Sequence, residues 1–145
     1  MVVSSEGKSG GLALMLREEV KVTMQNYFKY HIHSLVSLDD GEVFRFTRFY
    51  GQANPNLRKE SRDMLRRVKS MVKDGQIVGG DFNAILNNTE KDGGRKKPRS
   101  SMDEFYDILD ELSLVDVKTC NGWFTWTNNR EGPDLIKERL DRFLI

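Results

Sequence analysis

Gln76-Ile77-Val78-Gly79-Gly80-Asp81-Phe82-Asn83 is a short apolar run that breaks into two glycines and then presents two polar side chains two positions apart. In extended backbone, residues i and i+2 project to the same side, so Asp81 and Asn83 stand together at the end of a strand that reads as buried, and the glycines leave room for close approach. A carboxylate can hold a divalent cation or take a proton from water, and a carboxamide can donate to a phosphate oxygen without adding repulsive charge. The same two side chains can equally satisfy backbone groups in a turn. On the segment alone both readings stand.

Upstream of this strand the spacing of Leu57, Met64, Leu65, Val68 and Met71 predicts a helix over 56–73, capped by Asn56 and ended by Gly75. Its other face carries Arg58, Lys59, Arg62, Arg66, Lys69 and Lys73 and is expected to meet solvent. Earlier still, β-branched and aromatic runs predict strands over 11–16, 20–27, 32–38 and 43–50. Asp40-Gly41 supplies the positive φ that a hairpin between the last two needs, and Phe44 and Phe46 are expected to point into the core. Downstream, Ser101-Met102-Asp103-Glu104 has the capping-box form, opening a helix with the stripe Phe105, Ile108, Leu109 and Leu112. Further strands are expected over 123–127 and 140–144, with Trp126 in the core. A meander followed by strand, helix, strand, helix and strand predicts a mixed sheet with helices packed against it.

The whole chain has 145 residues, 38% hydrophobic and 31% charged, which suits one domain with one core. One cysteine, Cys120, excludes an internal disulfide and any zinc site built on several cysteines, and fits a reducing compartment. The longest apolar run, 11–16, is far short of the roughly 20 residues that span a bilayer, and the N-terminal segment lacks the basic-then-apolar order of a signal peptide. These features predict an intracellular protein, nuclear or cytoplasmic, with no membrane partner. Net charge is 0 over 1–50, +6 over 51–100 and −5 over 101–145. A basic middle beside an acidic end suits an anionic ligand with carboxylates nearby, and it equally suits a solvated helix face beside an acidic helix.

Three smaller signals stand in the sequence. The cluster Lys91, Arg95, Lys96, Lys97 and Arg99, with Gly93-Gly94 for flexibility, can track a nucleic-acid backbone or form a solvated loop. His31 and His33, the chain's two histidines, share one strand face with no third ligand nearby and are expected to be ordinary surface. Gly7-Lys8-Ser9 lacks the earlier glycine and the preceding strand of a phosphate-binding loop.

Phe49-Tyr50-Gly51, Gly79-Gly80-Asp81-Phe82-Asn83, Phe124-Thr125-Trp126-Thr127 and Arg139-Leu140-Asp141-Arg142-Phe143-Leu144 follow one another in an order and spacing that resemble the endonuclease/exonuclease/phosphatase, or DNase I-like, superfamily. Ser9-Gly10-Gly11-Leu12-Ala13-Leu14, Phe46-Thr47-Arg48-Phe49-Tyr50-Gly51 and Thr127-Asn128-Asn129-Arg130 make the chain most similar to the endonuclease domains of plant LINE-type (non-LTR) retrotransposons. The resemblance implies an α/β fold, a partial four-layered α/β sandwich with mixed, mostly antiparallel sheets and outer helices, filled by one incomplete domain over 1–145. It also implies Mg²⁺- or Mn²⁺-dependent phosphodiester hydrolysis of DNA, and a reverse transcriptase domain in the parent polyprotein. By motif, Tyr50 would contact the scissile phosphate, and Asp81 would align or deprotonate the attacking water and offer a partial metal site. Asn83 would contact the phosphate or transition state, Thr125 would line the substrate groove, and Asp141 would orient a catalytic histidine. Arg95, Lys96 and Lys97 would meet the substrate backbone.

Complete members of the superfamily open with an asparagine-bearing strand and a metal-binding glutamate, and close with a Ser-Asp-His segment. This chain is expected to start after the first two and stop before the third, with neither His31 nor His33 a stand-in. Members of such a constellation act as a unit, so little or no activity is expected of the isolated chain. A sandwich without its outer strands exposes edges and apolar faces, which predicts a marginal or aggregating monomer. Two rival functions follow: a phosphatase of the same superfamily, and a non-catalytic remnant that binds nucleic acid or a protein through its basic face.

Overall fold

The computed structural model describes residues 2–3, 12–13, 20–72, 75–120 and 122–145. In chain order the strands are β1 (Val2–Val3), β2 (Leu12–Ala13), β3 (Lys21–Phe28), β4 (His31–Ser37), β5 (Val43–Tyr50), β6 (Gln76–Asp81), β7 (Lys91–Asp92), β8 (Asp116–Val117), β9 (Trp126–Thr127), β10 (Lys137–Glu138) and β11 (Asp141–Leu144). Helix α1 (Arg58–Ser70) joins β5 to β6, and α2 (Arg99–Glu111) lies between β7 and β8. Six strands form the main sheet in the order β3-β4-β5-β6-β11-β8. The β5–β6 pair is parallel and the others antiparallel, so the sheet is mixed as its strand-helix-strand order requires. A small sheet β7-β10-β9 and the antiparallel pair of β1 and β2 are separate ladders, and β2 packs near β5. The motif Ser9-Gly10-Gly11-Leu12-Ala13-Leu14 lies largely, and Gly7-Lys8-Ser9 and Lys73 lie wholly, outside the described residues.

Register divides the sheet into two faces. Thr47, Val78 and Leu144 stand side by side across β5, β6 and β11, and with Phe49 they meet the helices. Helix α1 buries Met64, Leu65 and Val68 on this face, and α2 buries Phe105, Ile108 and Leu109. Removing each such side chain from water contributes about 1.5–3 kcal/mol. Phe82, just past β6, ties sheet to helix: its ring centroid lies 5.1 Å from that of Phe49 and 5.8 Å from that of Phe105.

Several local expectations give way. Phe44 and Phe46 occupy the face away from the helices and are half-buried; Phe46 packs at 6.4 Å on Phe143, itself 45% exposed. A β5 face that carries Thr47 and Phe49 inward must carry Phe44 and Phe46 outward, because side chains alternate. Asn56 is not the cap: Asn54 accepts from the Asn56 N–H and opens a 3₁₀ turn, Pro55–Leu57, and α1 follows from Arg58 to Ser70. Likewise α2 begins at Arg99 after Pro98, so Ser101 and Glu104 lie inside it and are taken by α1 instead of forming a capping box. Arg58 Nη1 donates to Ser101 Oγ at 3.3 Å, Arg62 pairs with Glu104, and Arg66 holds both oxygens of Glu111 at 2.8 and 2.9 Å. The cationic face of α1 therefore meets the acidic face of α2 as well as solvent, and part of the basic-middle, acidic-end asymmetry is closed within the molecule.

Trp126 is not core either, being 43% exposed on β9, the edge strand of the small sheet. His31 and His33 are not surface: both are more than nine-tenths buried on the helix face of β4, with His33 Nδ1 2.7 Å from Thr47 Oγ1 and His31 Nε2 3.1 Å from Asn26 Oδ1. Gly93 and Gly94 serve close packing rather than flexibility; a Cβ at Gly93 would stand 2.1 Å from the Leu135 carbonyl oxygen. The Asp40-Gly41 hairpin forms as expected, with Ser37 opposite Val43 and Gly41 at φ +87°.

Candidate active site

The ends of three neighbouring strands meet on the face away from the helices. Tyr50 pairs in register with Asp81 across the parallel β5–β6 ladder, and Asp81 pairs with Asp141 across the antiparallel β6–β11 ladder. All three are half-buried. Side chains directly opposite one another in an antiparallel pair have Cβ atoms about 4.5–5.5 Å apart, so the Asp81 and Asp141 carboxylates stand side by side, with Tyr50 next to Asp81 in register and packed in part against the core. Two glycines let the chain close here: a Cβ at Gly51 would lie 2.2 Å from the Phe82 carbonyl oxygen, and one at Gly80 1.9 Å from the Phe49 carbonyl oxygen. The Gly51 N–H donates to the Asp81 carbonyl at 2.7 Å and the Phe82 N–H to the Leu140 carbonyl at 2.9 Å, which extends the ladders past the last strand residues.

Asn83 takes a left-handed backbone, φ +49°, that asparagine tolerates better than most residues. Its N–H donates to Asp81 Oδ1 at 2.8 Å and its Nδ2 to the Gly51 carbonyl at 2.7 Å. The turn-satisfying role open from sequence is thus realised, and it orients the Asp81 carboxylate. Burial pushes the Asp81 carboxyl above the usual range, the Asn83 N–H pulls it down, Asp141 raises it further and Arg48 lowers it. Arg48 was not among the residues singled out from sequence. Its position two before Tyr50 on the same strand, hence on the same face, is the signal that finds it.

Thr125 is exposed and braces the row from below: its Oγ1 accepts from the Leu140 N–H at 3.0 Å and the Asp141 N–H at 2.9 Å. Asp141 is held from both sides. Arg139 and Arg142, its flanking arginines, are 1% exposed and converge on Glu90 and Asp116. Arg139 Nη1 lies 2.9 Å from Glu90 Oε1 and 2.6 Å from Asp116 Oδ2, while Arg142 Nη2 lies 2.9 Å from Glu90 Oε2. Two cations and two carboxylates cancel, which is what allows them to be buried together. Sequence offered no signal for Glu90 or Asp116, since neither stands in a motif.

The basic loop divides. Lys91 is buried against Glu138 at 2.7 Å, and Lys97 lies 3.4 Å from the same carboxylate oxygen. Arg95 and Lys96 are exposed, and Arg99 forms an exposed pair with Asp103 at 3.8 Å. His31 and His33 sit on the other face of the sheet from Asp81, since His31 is in register with Phe49 and His33 with Thr47.

Among the described residues no three histidine, cysteine or carboxylate side chains cluster as a metal site. A pair of carboxylates is still a suitable donor set for Mg²⁺, which commonly takes one or two carboxylates, several waters and substrate phosphates. The upward pressure of Asp141 on the Asp81 carboxyl is the like-charge interaction that a cation there would relieve.

Residues 3–145 match the model of the Endonuclease/Exonuclease/phosphatase family, and the chain belongs to that family. Among solved structures it is similar to the endonuclease domain of TRAS1, a telomere-specific non-LTR retrotransposon, at 18% identity and a TM-score of 0.68, over 99% of this chain and 65% of that one. It is also similar to the 3′ phosphatase NExo from Neisseria, bound to product DNA hairpin, at 16% identity and a TM-score of 0.55, over 88% of this chain and 57% of that one. Likeness at these identities carries the fold, a partial DNase I-like α/β architecture. The chain thus spans about three fifths of the length of these two structures. No curated protein matches the sequence. Among the described residues, no helix is long and apolar enough to cross a membrane.

Proposed function

We propose that the row of Tyr50, Asp81 and Asp141 serves Mg²⁺-dependent phosphodiester hydrolysis of DNA, in an endonuclease-like domain derived from a LINE-type element, with a plant element as the source that the sequence motifs favour. The observation that carries the reading is the in-register alignment of these three side chains across adjacent strands, with Asn83 locked beside them. Tyr50 would donate to a phosphate oxygen. Asp81, oriented through Oδ1 by the Asn83 N–H, would align or deprotonate the attacking water through its other oxygen. Asp141 would share a cation with Asp81 or orient a further catalytic group, and Thr125 would keep its backbone in place. A bound Mg²⁺ would neutralise charge on the phosphate and leaving oxygen. Arg95 and Lys96 would meet the DNA backbone.

A second reading, DNA binding without cleavage, draws support from the placement of both histidines across the sheet from Asp81. Nicking of supercoiled plasmid by the purified chain in Mg²⁺, against EDTA and Asp81→Ala controls, separates the two. Metal-dependent nicking reduced at least ~10³-fold by the substitution supports hydrolysis. A folded preparation that binds DNA and leaves the plasmid intact supports binding alone.

A further inference from the structure

Among the described residues strand β3 is one edge of the main sheet, paired with β4 and with no strand on its other side. It is eight residues long, and seven of its side chains are exposed, among them Met24 at 41%, Tyr27 at 60% and Phe28 at 57%. Edge strands of this length are normally blunted by proline, by several charges or by a covering element, because their outward N–H and C=O groups template a further strand. β3 has no proline, one charge at Lys21, and a single register shift between Met24 and Asn26. Beside it runs a groove of about 440 Å³ between Phe28 and the C-terminal half of α1, bordered by Met64, Arg67 and Met71. An open ladder alongside a helix-walled groove provides both halves of strand-addition recognition: main-chain hydrogen bonds for affinity and a pocket for alternate side chains.

Charge selects the occupant. Arg67 is exposed in the groove wall, and among the described residues no carboxylate lies in ion-pair reach of it. No acidic residue stands in β3 or in the groove lining, so a second copy pairing β3 with β3 would bring Arg67 no counter-charge. We propose that β3 and this groove bind an extended segment of another protein, one that alternates apolar residues and carries a carboxylate placed to reach Arg67. The surface is remote from the Tyr50–Asp81–Asp141 row, being two strands away from β5 in the sheet order, and the inference stands apart from the hydrolytic reading.

The test is fluorescence anisotropy with the whole chain and a fluorescein-labelled octapeptide of alternating valine and threonine ending in two glutamates. The expected Kd is on the order of 10 µM, weakened about tenfold by Arg67→Glu, an exposed helix position whose change leaves the fold intact. The same peptide N-methylated at alternate residues, which cannot complete the ladder, is expected not to bind, and a version ending in two lysines is expected to bind about tenfold more weakly. Equal binding of all three peptides, or no binding up to about 1 mM, overturns the proposal. So does light scattering that reveals a dimer excluding the peptide and lost in Tyr27→Lys, since the occupant would then be a second copy.

Discussion

Asp141 faces Asp81 across the β11–β6 ladder, on the same sheet face, so two carboxylates that repel are held together by backbone hydrogen bonds and by the arginines flanking Asp141. Asp81 holds its proton more tightly in the folded chain than in the unfolded one, so the stability linked to that proton is present below the ordinary value of 3.8 and is lost as pH rises through the raised folded value. Near neutrality the ionised carboxylate is therefore a cost. Asp81→Asn keeps an acceptor for the Asn83 N–H and removes the charge; at pH 7 it should raise Tm in calorimetry while plasmid nicking disappears. A lower Tm would assign Asp81 a structural role.

The basic loop should act through two of its residues. Each phosphate contact by an exposed lysine or arginine adds about 0.9 to the slope of log K against log salt on duplex DNA. Arg95→Ala and Lys96→Ala should each lower the measured slope by about that amount, because both side chains stand in solvent. Lys97→Ala should lower it less, since its ammonium is shared with Glu138. Equal effects of the three in a salt titration would mean that Lys97 leaves Glu138 to meet DNA.

How far sequence reaches is clear from particular residues. Period-2 alternation and the glycine pair place Asp81 correctly, and the strand-helix-strand order yields the parallel β5–β6 pair, because both are local signals. Which face of β5 is inward is not local. It depends on where α1 and α2 pack, and Phe44 with Phe46 looks as apolar as Phe49 with Thr47 until the helices choose. The caps fail for a related reason: Ser101 and Glu104 have the right spacing for a box, but Arg58 and Arg62 from another helix compete for them. Glu90 and Asp116 were illegible because their importance lies in two arginines about 23 to 52 positions distant in the chain.

The buried ion cluster should be the most sensitive polar feature of the fold. Glu90 accepts from Arg139, Arg142 and the Leu86 N–H, and it is 2% exposed. Removing one member of such a set leaves an uncompensated charge, so Glu90→Gln should cost about 3–5 kcal/mol in urea unfolding. Arg66→Ala, which breaks the solvent-exposed link to Glu111, should leave the urea midpoint nearly unmoved. If the two variants unfold at the same midpoint, the cluster is not what anchors β11.

Acid should loosen the β3–β4 edge before it titrates the carboxylates. Burial is the main cause that lowers both histidines below 6.5; the charge of His33 adds to it at His31, and that of Arg45 at His33. The unfolded chain takes up these protons near 6.5 while the folded chain resists, so the stability they contribute is present above 6.5 and is lost as pH falls toward the depressed folded values. Among the described residues His31 Nδ1 has no hydrogen-bond partner and His33 Nδ1 is engaged by Thr47, which also accepts from Gln76 Nε2 at 2.6 Å, so added protons find few acceptors. Tm measured from pH 7.5 down to about pH 5 should fall steadily in the native chain, and the fall should flatten in the double variant His31→Gln, His33→Gln. A profile of unchanged slope in that variant would move the acid sensitivity elsewhere.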